Sequence, residues 1–103
     1  MAHRLAQEAE VDLDDIWLYV AKKSGGIEIA NRLIDAITDR ILALARFPYI
    51  GRSREDDFGS GYRSLSVGEY VIVYQIEGED VLVSRVVRGR RQLEALFGPY
   101  SDL

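Results

Sequence analysis

Between positions 7 and 46 the apolar residues recur every three or four places. Leu13, Ile16, Trp17 and Val20 fall at i, i+3, i+4 and i+7, one face of a helix running from Gln7 to Lys22-Lys23. Glu8, Glu10 and Asp12 stand near its start, where carboxylates complement the macrodipole, and Ser24-Gly25-Gly26 breaks it. Ile27, Ala30, Leu33, Ile34, Ile37, Ile41 and Leu44 then keep helical spacing up to Arg46-Phe47, where Pro48 stops the helix. So short a break predicts an antiparallel helical hairpin, with apolar faces wide enough to need a sheet beneath them.

After position 61 the period changes from 3.6 to 2. Residues 62–67, 70–76 and 81–88 read as strands of an antiparallel meander. Gly68-Glu69 is a two-residue turn, and 77–80 a longer one. In the middle strand both alternating sets are apolar, Tyr70, Ile72, Tyr74 and Ile76 against Val71 and Val73, so it is predicted to be central and covered on both sides. The hairpin covers one face; the chain's own tail or a partner covers the other. Residues 3–6 form a short N-terminal edge strand, 49–61 a surface loop, and 92–97 a short helical tail ended by Gly98-Pro99. The expected fold class is therefore α+β, in one domain over residues 1–103.

Composition narrows what this fold could do. An apolar fraction of 48% is that of a globular chain. The absence of cysteine excludes a disulfide framework, thiol catalysis and thiolate zinc sites, and fits a reducing cytoplasm. The N-terminus does not read as a signal peptide, and no apolar run approaches a membrane span. Net charge is −4, from 13 basic and 17 acidic residues. That balance argues against a general nucleic-acid binder, whose affinity comes from phosphate neutralisation.

Catalytic equipment is sparse. The single histidine, His3, lies near the terminus without an orienting partner and is expected to be solvent-exposed. Asp12 and Asp15 can share a helix face, but a solvated face is the simpler reading, and no metal or cofactor is expected. The arginines stand out. Alternation places Arg85 between Val83 and Val87 on one face of the last strand, Arg88 on the other, and Arg90 and Arg91 just beyond a glycine. A guanidinium in an apolar row must be paired or functional. With Arg63 these arginines could clamp phosphate or carboxylate. The structural alternative pairs Arg85 with an acid such as Glu69 and leaves Arg90 and Arg91 solvated.

Several segments together carry a family resemblance. Ala9-Glu10-Val11-Asp12-Leu13-Asp14-Asp15-Ile16-Trp17 opens the first helix, and Phe47-Pro48-Tyr49-Ile50-Gly51-Arg52 follows the second. Then come Gly61-Tyr62-Arg63-Ser64-Leu65, Tyr70-Val71-Ile72-Val73-Tyr74 and Arg85-Val86-Val87-Arg88-Gly89-Arg90-Arg91. In this order the chain resembles the ParE-like toxins of the RelE/ParE toxin–antitoxin superfamily over nearly its whole length. The resemblance implies a cytoplasmic toxin neutralised by a small ribbon–helix–helix, ParD-like antitoxin, with no direct DNA binding of its own. ParE-like members block DNA gyrase; RelE-like members cut messenger RNA on the ribosome.

The residues favour the first branch. The loop Glu55-Asp56-Asp57 is acidic where the nuclease branch carries lysines, and position 88 is arginine where many relatives have histidine. The first helix also lacks the family's Ser-Pro start, having Ala6-Gln7, a poorer cap. The expected contacts with the target are Arg88, Arg90, Arg91, Leu93, Leu96 and Phe97. Those with the antitoxin are Val11, Leu18, Tyr70, Ile72 and Tyr74. A nuclease would instead hold the scissile phosphate with Arg63, Arg85 and Arg88. A third reading is a toxin that has lost activity and survives as an antitoxin-binding partner.

Overall fold

The computed structural model describes residues 2–89 together with Gln92, Leu93 and Ala95. Its elements are β1 (His3–Leu5), α1 (Gln7–Ser24), α2 (Ile27–Arg46), β2 (Arg52–Ser53), α3 (Glu55–Phe58), β3 (Tyr62–Val67), β4 (Tyr70–Glu77) and β5 (Asp80–Arg88). The sheet order is β1-β5-β4-β3-β2. β3, β4 and β5 form the expected antiparallel meander, while β1 runs parallel to β5. Both hairpin turns have two residues, and the second is shorter than expected because β4 extends to Glu77 and β5 begins at Asp80. Gly68 and Gly78 open these turns at φ 59 and 63, a conformation that glycine reaches without a Cβ clash.

The hairpin follows its amphipathic pattern. α1 has no side-chain cap on its first turn, in keeping with Ala6, and ends at Gly25 in the left-handed region. Trp17 Nε1 donates to Asn31 Oδ1 at 2.8 Å and ties the two helices together. Ile16, Ile37, Ile41 and Leu44 pack against Ile72, Tyr74, Val81, Val83 and Val86 on one sheet face. Burying each large apolar side chain here contributes roughly 1.5–3 kcal/mol. Ile27 departs from the pattern: it stands in the first turn of α2, beyond the sheet's reach, and is exposed.

The second face of β4 is covered by the chain itself. Val73, Val87 and Leu93 are buried there, with Phe58, Tyr62 and Val71 packed beside them. The loop expected over 49–61 therefore contains two short elements, β2 pairing with β3 and α3 bringing Phe58 to this face. They were missed because two-residue strands and one-turn helices leave no periodic signal. Gln92, Leu93 and Ala95 are helical, as expected of the tail.

A β-bulge overturns the expected alternation of β5. Tyr74 pairs with Val83 and Val73 with Arg85, so Ser84 is an extra residue on β5. Beyond it the parity of the strand inverts: Val83 and Val86 belong to the helix-side core and Val87 to the opposite one. Val83 and Val87 thus do not share a face.

Candidate functional site

β1 pairs with β5 only at Val81, Leu82 and Val83, and the chain then turns away into α1. This uncovers the last part of the outer edge of β5, whose outward amides need other acceptors. Asp12 supplies one: its Oδ2 accepts from Val86 N–H at 2.9 Å. The same carboxylate holds Arg85, Nε to Oδ2 at 2.7 Å and Nη2 to Oδ1 at 2.9 Å. Two residues on, Gln92 Oε1 accepts from Arg88 N–H at 2.7 Å. Helix and tail side chains thus close an edge that, among the described residues, no strand covers.

Arg85 is therefore a structural arginine, paired with Asp12 and not with Glu69. Its fork matches the carboxylate in two parallel hydrogen bonds. The guanidinium is held above its ordinary pKa, first by the hydrogen bonds to Asp12, with burial opposing and the charges of Asp12 and Glu8 adding. Sequence alone could have flagged only that Asp12 and Arg85 each stand beside apolar neighbours.

Arg63 is also engaged structurally. It projects from β3 opposite Tyr74, with Nε donating to Gly51 O at 3.0 Å and Nη2 to Tyr49 O at 3.1 Å. The Tyr74 hydroxyl donates to Pro48 O at 2.7 Å and accepts from Gly51 N–H at 3.0 Å. Together these bonds fix the turn after α2, where Ile50 N–H also closes onto Phe47 O at 3.1 Å.

Arg88 is different. It is exposed at the end of β5, donates to the Tyr19 hydroxyl at 3.1 Å, stacks 5.4 Å from the Tyr19 ring centroid and lies 3.7 Å from Glu69 Oε2. Its pKa is raised, first by the hydrogen bond to Tyr19, with the attraction of Tyr19 and Glu69 adding. Arg85, Arg88, Asp12, Asp15, Tyr19 and Tyr70 share one open cleft between α1 and the end of β5, about 590 Å³ in volume. Arg63 is not part of it. The three arginines a nuclease would use thus do not converge: one clamps a turn, one holds a helix, and one remains at the cleft. A second open cavity, on the other sheet face, gathers Arg52, Arg54, Glu69 and Arg88 above Val71 and Leu93. Arg54 is satisfied there by Ser64 Oγ at 2.8 Å and Asp57 Oδ2 at 3.2 Å. Sequence reasoning passed over both of these loop arginines because the acids beside them masked the local charge.

Several expected contact residues are core. Tyr70, Ile72 and Tyr74 are 5%, 0% and 0% exposed, so the hairpin covers the very surface assigned to an antitoxin. Leu93, 4% exposed, packs on Val73 and Val87 and is not free for a target. Val11 and Leu18 are exposed on α1, as expected. Arg90, Arg91, Leu96 and Phe97 lie outside the described residues. His3 is half-buried in β1, correcting the expectation of exposure. Among the described residues no group of His, Asp and Glu is placed to hold a metal ion. No helix there is long and apolar enough to cross a membrane.

Tyr70 lines the cleft, and its burial raises the hydroxyl pKa, with Arg88 opposing and Glu69 adding. A raised folded value means the unfolded chain gives up this proton first. The neutral hydroxyl's contribution is complete below the ordinary tyrosine range, about 10, and is lost as pH rises through the higher folded value. Urea midpoints measured between pH 8 and 11 are expected to fall above about pH 10, and less steeply in Tyr70→Phe. Parallel profiles for the two proteins would refute this.

Comparison with known proteins gives a consistent picture. The family described as ParE toxin of type II toxin-antitoxin system, parDE, matches residues 4–93. The chain is 33% identical over 87 residues to Toxin ParE3 of Caulobacter vibrioides, covering 84% of this chain and 85% of that one. Toxin ParE1 of the same organism is 30% identical over 96 residues, with 93% and 97% covered. Among solved structures, a chain of the chromosomal ParDE TA system from P. aeruginosa superposes with a TM-score of 0.76 at 21% identity, covering 87% of this chain and 97% of that one. A chain of the toxin–antitoxin complex RelBE2 from Mycobacterium tuberculosis superposes at 0.60, with 22% identity and 84% and 88% covered. These two structures share the strand, helical hairpin and meander described above.

Proposed function

The chain belongs to the ParE toxin family of type II toxin–antitoxin systems, and on that premise we propose that it inhibits DNA gyrase by contact and is held inactive by a cognate antitoxin in the cytoplasm. The observation that carries the contact reading is the dispersal of the arginines. Arg85 is committed to Asp12 and Arg63 to the carbonyls of Gly51 and Tyr49. Both guanidinia are oriented by partners within the fold, on different elements, and the cleft that holds Arg85 and Arg88 does not include Arg63. Arg88, by contrast, presents a cation and an aromatic neighbour at an open cleft, the residue types that dominate protein-binding hot spots. The acidic charge of the chain points the same way, since a ribosomal nuclease must neutralise phosphate.

An antitoxin is supported by the two structural neighbours, both described as parts of toxin–antitoxin systems or complexes. Val11 and Leu18 on the outer side of α1 remain the candidate contacts with it, and a ribbon–helix–helix protein is its expected form.

The test is a supercoiling assay with purified gyrase. Inhibition by the chain, relieved by the protein encoded in the neighbouring reading frame, is the expected result. Growth arrest without any effect on supercoiling would overturn it. Codon-spaced cuts in cellular messages would instead assign the nuclease activity.

A further inference from the structure

The turn after α2 combines two properties that conflict unless something docks there. Its backbone is held by hydrogen bonds from Tyr74, Arg63 and Ile50, and Pro48 and Gly51 are buried beneath it. Its other side chains are large, apolar and outside: Phe47 is 58%, Tyr49 67% and Ile50 52% exposed. Isolated exposed apolar residues are ordinary, but three within four positions of one fixed turn form a preorganised patch. Fixing such a patch before binding removes an ordering cost that a mobile loop would bear on docking.

Charge says what fits. The Arg46 guanidinium lies 5.7 Å from the Phe47 ring centroid and that of Arg63 lies 5.3 Å from the Tyr49 ring. Neither arginine pairs with a carboxylate among the described residues. The patch is thus apolar with a cationic border, on a chain whose net charge is −4. The outer side of α1 is the reverse: Val11 and Leu18 stand among exposed Glu10, Asp14 and Asp15. The two surfaces select opposite charges and hence different partners. With α1 left to the antitoxin, we propose that the turn of residues 47–50 docks the toxin's target protein through a segment bearing acidic and apolar side chains. This rests on the contact reading above, and it moves a main target contact away from the C-terminal tail.

The experiment compares the wild-type chain with Phe47→Ser/Tyr49→Ser/Ile50→Ser, with Arg46→Glu, and with Ile29→Ser, an exposed apolar residue at the opposite end of α2, as the control. Thermal melts check folding, and Arg46→Glu, at an exposed site, decides if the triple variant melts early. Growth arrest on induction and binding to purified gyrase are both read. The turn variants are expected to abolish arrest and weaken gyrase binding by at least about tenfold, with Ile29→Ser arresting like wild type. If the wild-type chain arrests growth without binding gyrase, gyrase is wrong as target, and loss of arrest in the turn variants still supports the docking surface. Undiminished arrest by Arg46→Glu and by a folded triple variant overturns the proposal. So does arrest by these variants that the coexpressed neighbouring protein no longer relieves, which would give the turn to the antitoxin. A wild-type chain inert in both readouts overturns both proposals.

Discussion

Asp12→Ala is expected to destabilise the protein by about 3 kcal/mol, through the hydrogen bonds its carboxylate accepts at the end of β5. Its carboxylate accepts three hydrogen bonds, two from Arg85 and one from Val86 N–H. Bonds to charged groups contribute roughly 1.5–3 kcal/mol each where water is excluded. The Asp12 side chain is 12% exposed but that of Arg85 is 32%, so solvent screens the pair and the sum is reduced. What remains is an amide at a strand edge without its acceptor and a half-buried cation without its counterion. In a domain of this size about 3 kcal/mol corresponds to a melting point lower by roughly 12–24 °C. A double-mutant cycle with Arg85→Ala should return a coupling of about 1–2 kcal/mol, because part of the loss belongs to Val86 N–H alone. A melting point within 3 °C of wild type in Asp12→Ala would show that water replaces the carboxylate fully. Arg88→Ala, on an exposed side chain, should leave the melting point close to that of wild type and so reports function separately from folding.

The second large effect is expected at the buried tyrosine under the turn. Tyr74→Phe removes a hydroxyl that donates to Pro48 O and accepts from Gly51 N–H. Both backbone groups then lose their partner beneath a buried surface, at about 1–3 kcal/mol each. A loss of about 3 kcal/mol in urea unfolding is expected, with weaker growth arrest because the docking turn loosens. Gly51→Ala approaches the same contact from the other side. A Cβ there would meet Tyr74 Oη at 2.5 Å and the Ser64 backbone oxygen at 2.6 Å, and backbone cannot swing away. Overpacking of this kind costs about 1–3 kcal/mol or more. Wild-type stability in both variants would mean that the turn is not anchored by Tyr74.

Much of the architecture was legible. The 3–4 spacing of Leu13, Ile16, Val20 and of Ile37, Ile41, Leu44 gave the two helices, because burial against a flat sheet requires one continuous stripe. The doubly apolar run of β4 gave a central strand covered on both sides, as Ile72 and Val73 show by being fully buried in opposite clusters. The site was less legible. Arg85 was visible as an oddity in an apolar row, but its partner lies 73 positions away on α1, and no local pattern encodes that distance. Tyr70 and Tyr74 stand in the apolar alternation of β4 and were expected to meet an antitoxin; both are buried under the hairpin, with a cleft or a backbone acceptor beside the hydroxyl.

What the sequence by itself determined is the set of elements and their amphipathic faces, since periodicity and turn residues act within a few positions of the chain. Membership of the toxin family is likewise a property of the linear order of motifs. What only the tertiary structure decided is which charges meet. One extra residue at Ser84 inverts the faces of β5, and the early departure of β1 exposes an edge that Asp12 then closes. Fixing the turn after α2 depends on Tyr74 and Arg63 arriving from the sheet beneath it. Hydrogen bonds and ion pairs are short-ranged and directional, so their partners follow from packing geometry, which burial sets and sequence spacing does not.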